Sequence, residues 1–209
     1  MKNAYHANGK YYELIKERQK FADKHPNVYS YLGVVDTIQE AYDKKQVAFE
    51  SLDNAVTIAK MILDNYNLTE KTAVDVIDKL GKLYVAQGNH KEAIMMLENT
   101  ISQINSNSPV VVNKLIYRYA SVFLASGETQ KAKEILCIGV KENEIPEVHF
   151  AKLKSLSDSK EKETFRHKIP MYHLLHKVYQ ITGENQQANL IIDRLKADNP
   201  SDRFAKKRN

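Results

Sequence analysis

Four histidines crowd the C-terminal half of the chain, His149, His167, His173 and His176, and they are the first place to look for chemistry. On a helix, His173 and His176 would share a face. A metal centre needs at least three ligands held rigidly with partners behind them, and no Cys-His pattern at a useful spacing completes this pair. The single cysteine, Cys137, lies in the apolar run KEILCIGV, which points to a buried, inert thiol and rules out a disulfide within the chain. Glu161 and Glu163 sit in the polar run SDSKEKE and read as solvated loop residues rather than an acid/base pair. The sequence has no Gly-rich phosphate loop, no GxSxG turn and no HExxH helix. The expectation is therefore no enzyme, no cofactor and no metal. What is left is recognition: Lys114 and Arg118, four apart, project two cations from one helix face.

The elements that must position such residues are helices. Of 209 residues only 7 are Gly and 5 Pro, too few for the turns an all-β chain of this length needs. Hydrophobic residues at 43% and charged residues at 27% are ordinary for a folded, water-facing protein. The net charge of +5 is mild, and no dense basic block precedes the last few residues. The N-terminus has no apolar run of a signal peptide, and no stretch approaches the roughly 18 apolar residues of a membrane span. A cytoplasmic protein without membrane contact is expected.

The glycines reveal a repeat. Gly88 follows Ile77, Leu80, Gly81 and Tyr84 and precedes Ala93, Leu97 and Thr100. Gly127 follows Ile116, Tyr119, Ala120 and Phe123 and precedes Ala132, Leu136 and Gly139 at the same offsets. Gly183 follows Tyr172, Leu175, His176 and Tyr179 and precedes Ala188, Ile192 and Leu195, again at those offsets. Each series describes an apolar stripe on one helix, a glycine that ends it, and the stripe of a returning helix. The small Ala lets the two helices approach closely. Such a hairpin cannot bury its face alone and needs neighbours.

This pattern resembles the tetratricopeptide repeat (TPR) family, whose units of about 34 residues carry the same order of apolar, small and aromatic positions. The resemblance covers 74–107, 113–146 and 169–202. It departs where Ile77, Ile116 and Tyr172 replace the usual Trp, and where His176 replaces a small residue, so the third unit is expected to pack less closely or to act as a terminal cap. Tyr84, Tyr119, Tyr172 and Tyr179 occupy packing positions, which removes the case for base stacking. No nucleic acid is expected.

Around the three units the pattern is uneven. Residues 147–168 form an insertion, with a helical half over 148–156 and a loop after it. Upstream, residues 1–66 hold divergent helices: Tyr11, Leu14, Ile15, Arg18 and Phe21 on one, stopped at Pro26; Val28, Tyr31, Leu32, Val35, Ile38 and Tyr42 on the next; Phe49, Leu52, Val56, Ala59, Ile62, Leu63 and Tyr66 on a third. Residues 203–209 are a basic tail. The expectation is one all-α domain over 1–209, a right-handed α-solenoid, monomeric if its last helix is polar enough to cap it.

The resemblance implies a use for the first helix of each unit, whose side chains line an inner concave face that holds peptides or partner helices. The matching positions here are Asp78, Lys79 and Lys82; Lys114, Tyr117, Arg118 and Ser121; and His173, Leu174 and Lys177. Lys114 and Arg118 match the Lys-x-x-x-Arg pair of members that grip a C-terminal carboxylate. The rest of that clamp is absent, with Asp78 and Lys82 where Lys and Asn would stand. The implied function is a non-catalytic scaffold for a protein or peptide partner, acidic if the groove is as basic as Lys79, Lys82, Lys114, Arg118 and Lys177 suggest. The alternative is a regulatory, peptide-sensing repeat module that changes curvature on binding.

Overall fold

The computed structural model describes residues 10–48, 50–140, 151–159 and 168–198, and all regular structure among them is α-helical. Phe49, His149, Glu161, Glu163, His167 and the 203–209 tail lie outside the described residues. The chain divides into two compact units, Met1–Asn89 and His90–Asn209.

In the first unit, α1 (Tyr11–Lys24), α2 (Val28–Asp43), α3 (Ser51–Asn65) and α4 (Glu70–Ala86) pack consecutively, each on the next. Local sequence fixes the starts. The Asn27 side chain accepts from the Ser30 amide at 3.0 Å while Ser30 Oγ accepts from the Asn27 amide at 3.2 Å, a reciprocal cap that opens α2. The Thr69 hydroxyl accepts from the Thr72 amide and opens α4.

The α1 stripe differs from the expected one. Tyr11, Leu14 and Ala22 are buried, whereas Phe21 is 58% exposed. Packed on α2, α1 buries one narrow row that takes in Ala22 and leaves Phe21 out. Arg18 belongs to the same row: its guanidinium donates to the Gly33 carbonyl at 2.7 Å, and Gly33 Cα faces it closely enough that a Cβ would lie 3.1 Å from Nη1.

The second unit holds α5 (His90–Gln103), α6 (Pro109–Ala125), α7 (Thr129–Val140), α8 (Ala151–Ser159), α9 (Ile169–Ile181) and α10 (Asn185–Asp198). The α6–α7 and α9–α10 pairs form hairpins, and α9 packs on both α6 and α7. Helix α6 has neighbours on most sides, α5, α7, α8 and α9. It is accordingly apolar around most of its circumference, burying Val111, Val112, Leu115, Ile116, Tyr119 and Phe123 among others.

The repeat glycines do what their offsets require. Gly127 has φ +85°, its amide bonds to the Leu124 carbonyl and the Glu128 amide to the Phe123 carbonyl. That is the paired bonding of a helix stop with a left-handed residue just beyond the end. Gly88 and Gly183 close α4 and α9 the same way. Gly139 is different in kind. A Cβ there would meet Met171 Sδ at 2.6 Å and Ile116 Cγ2 at 2.8 Å, so this glycine is a point of close helix approach.

Two expectations need correcting. The helix of the insertion runs Ala151–Ser159 rather than stopping at 156. It buries Leu153 and Leu156 and packs on α5, α6 and α7, and its Ser157 hydroxyl donates to the Ile138 carbonyl at 3.0 Å. It is part of the core of its unit. Cys137 is half-buried, with the Tyr179 hydroxyl 3.8 Å from its sulfur, because the hairpin leaves that edge of α7 partly open. His176 is buried, and its Nδ1 donates to the Ala188 carbonyl at 3.0 Å, joining α9 to α10.

Candidate interaction surfaces

In the first unit, Lys79 and Lys82 lie on α4 and face α2 across a pocket of ≈ 160 Å³. The opposite wall is α2, which contributes Val35, Asp36, Gln39, Glu40 and Asp43. Residues 36, 40 and 43 follow helical spacing and so form one row. The sequence reading missed these carboxylates as site residues, although their spacing is a signal that could have found them.

Electrostatically the pocket is mixed rather than basic. Lys79 is ion-paired with Asp36. Lys82 pairs with Asp78 of its own helix at 3.5 Å. Glu40 accepts from Lys44 at 3.1 Å and from the Tyr11 hydroxyl at 3.3 Å, both on Oε1. Hydrogen bonding to the Tyr11 oxygen and then to Glu40 holds the Lys44 ammonium above its ordinary pKa. Asp43 accepts from the Gln39 amide at 3.0 Å. Both cations of the pocket are thus committed to carboxylates, and three carboxylates line one wall.

In the second unit, the remaining expected residues lie on α6 and α9. Lys114, Tyr117 and Ser121 form a half-exposed row along α6. Arg118 does not share that exposure. It is only 7% exposed, with its guanidinium carbon 5.7 Å from the centre of the Tyr117 ring, within cation–π range. The crowding of α6 by its neighbours explains the difference. On α9, His173 and Leu174 are half-exposed and Lys177 is exposed.

The motif tyrosines are buried, as their packing positions imply. The Tyr119 hydroxyl donates to Glu98 at 2.8 Å and ties α6 to α5. Burial first, and then that carboxylate, push the hydroxyl well above the usual phenol range. Among the described residues no three His, Cys, Asp or Glu side chains gather as a metal site, and no helix is long and apolar enough to cross a membrane.

No protein-family model matches the chain, and no curated protein matches it. Solved structures do. A putative kinesin light chain from Podosopora anserina, built of nearly identical TPR-like repeats, is similar with a TM-score of 0.56 at 19% identity, covering 93% of this chain and 90% of that one. A point variant of it is similar with a TM-score of 0.58 at 18% identity, covering 93% and 89%. At such identity the likeness speaks for the fold alone, and together with the recurring hairpins it is decisive on that: the chain has the all-α fold of TPR-like helical repeats.

Proposed function

We propose that the protein is a non-catalytic scaffold that binds a protein or peptide partner. The observation that carries the reading is the division of labour on α6 and α9. Their motif residues are buried in packing, and each also carries a row of half-exposed or exposed polar residues, Lys114, Tyr117 and Ser121 on one and His173 and Lys177 on the other. The likeness to TPR-like repeats supports it, since helical-repeat folds present extended binding surfaces. An acidic segment suits this face, with Lys114 and Lys177 as its cations.

The test is affinity capture followed by mass spectrometry, comparing wild type with a Lys114→Glu/Lys177→Glu variant. Arg118 is left alone, because reversing a buried cation would unfold α6 rather than probe binding. A partner lost only from the variant supports the reading. An identified partner that binds both equally removes this face from consideration.

A further inference from the structure

Helix α5 lies outside the α6 and α9 rows proposed for binding, and its outer side carries the most exposed sulfur among the described residues. Ala93, Leu97 and Ile101 form the buried stripe of this helix. Met95 falls on the opposite side by helical register and is 68% exposed. It opens on a shallow depression of ≈ 530 Å³ lined by Met95, Met96, Glu98, Asn99 and Ser102, which leaves room for a small reagent at the sulfur. The other described methionines differ. Met61 and Met96 are half-buried, and Met171, packed against Gly139, is 1% exposed.

We propose that Met95 is a site of reversible oxidation, at which a hydroperoxide converts the thioether to the sulfoxide and makes the outer side of α5 polar. With hydrogen peroxide, a sulfur lone pair attacks one oxygen and the O–O bond breaks. The proton of the attacked oxygen passes to the departing one, which leaves as water. Sulfur is oxidised by two electrons and the peroxide is reduced by two. A thiol-dependent methionine sulfoxide reductase runs the return step, in which the oxygen leaves as water and two thiols become a disulfide.

The neighbours direct the new oxygen. Asn99 is one turn on, on the same side of α5, and its amide is a donor. Glu98 is acceptor-only when ionised and already receives the Tyr119 hydroxyl at 2.8 Å, so it offers the oxygen nothing. The sulfoxide therefore turns to Asn99 and leaves the tie between α5 and α6 in place. At Met171 the same oxygen would have to enter a contact too tight for a Cβ on Gly139.

The experiment treats the full chain with hydrogen peroxide in a Met61→Leu/Met96→Leu variant, swaps that conserve volume and leave Met95 and Met171 to compete. Timed samples are digested and the added oxygen is placed by fragment-ion mass spectrometry. Met95 should oxidise roughly tenfold faster than Met171, and Met95→Leu should abolish the fast phase. The chain oxidised at Met95 should keep its thermal midpoint within about 2 °C, as for a surface change, and its Asn99 side-chain amide should shift by NMR. Reductases for the two sulfoxide epimers, supplied with dithiothreitol, should remove the oxygen. Met171 oxidising as fast as Met95 overturns the assignment. A sulfoxide at Met95 that both reductases leave in place overturns the reversibility, and a midpoint lowered by more than about 5 °C overturns its confinement to the surface.

Discussion

Two glycines of the second unit fail for different reasons when replaced. At Gly127 a Cβ would point into open space, so only the left-handed backbone opposes substitution. Gly127→Ala should cost about 1 kcal/mol and Gly127→Asn less, since Asn tolerates that conformation. At Gly139 the backbone is helical, and Ala would gain up to about 1 kcal/mol of helix propensity. The clash with Ile116, whose branched side chain is fully buried and cannot swing aside, outweighs it; Met171 at least has a flexible end. Gly139→Ala should therefore be net destabilising, by about 1–3 kcal/mol. Urea denaturation separates the cases: Asn restores stability at 127 relative to Ala, and no larger residue is tolerated at 139. The first kind of glycine was legible from its offsets. The burial of Arg118 was not, because it depends on how many helices crowd α6, and the motif describes one hairpin at a time.

Among the elements, α8 is the one whose weight the sequence understated. Its polar surroundings read as an excursion, yet Leu153 and Leu156 are buried and spaced by three, a stripe too short to stand out in nine residues. Leu153→Ala should cost about 2–5 kcal/mol, as for a core leucine, and Ser157→Ala about 1 kcal/mol through the lost bond to Ile138. A solvated insertion would give almost nothing for either, so denaturant midpoints decide. The junction of α7 with the α9–α10 turn adds a pH-dependent tie. The Thr182 hydroxyl, and then Lys133 at 2.9 Å, hold the Glu184 carboxyl below its ordinary value although partial burial works against them. A carboxyl lowered on folding stabilises above its unfolded value, and that contribution is lost as pH falls through its folded one. Glu184→Gln should thus flatten the decline of stability on acidification below the ordinary carboxylate range, and the difference from wild type should vanish once the carboxyl is protonated in the folded chain as well, as read from thermal midpoints across acidic pH.

At the scale of the whole molecule, the repeat hairpins were legible because three glycine series agree, while the division into two compact units was not. The boundary falls between Asn89 and His90, inside the turn that the first glycine series joins into one hairpin. Periodicity reports what each helix must bury; it does not report how many contacts accumulate on either side of a turn. Each unit has its own fully buried residues, Leu52 and Ile62 in one and Leu136 and Ile135 in the other. In repeat architectures stability is approximately a sum of local terms, so a cavity should be felt mainly where it is made. Leu52→Ala and Leu136→Ala should each cost about 2–5 kcal/mol. Peptide-resolved hydrogen exchange should then rise mostly within 10–89 for the first variant and within 90–198 for the second. An equal rise across both ranges for either variant would mean that the chain opens as a single cooperative body. The candidate faces would then share one stability, and a charge reversal on α6 or α9 would have to be checked for its effect on the α2/α4 pocket before any loss of binding was assigned to either.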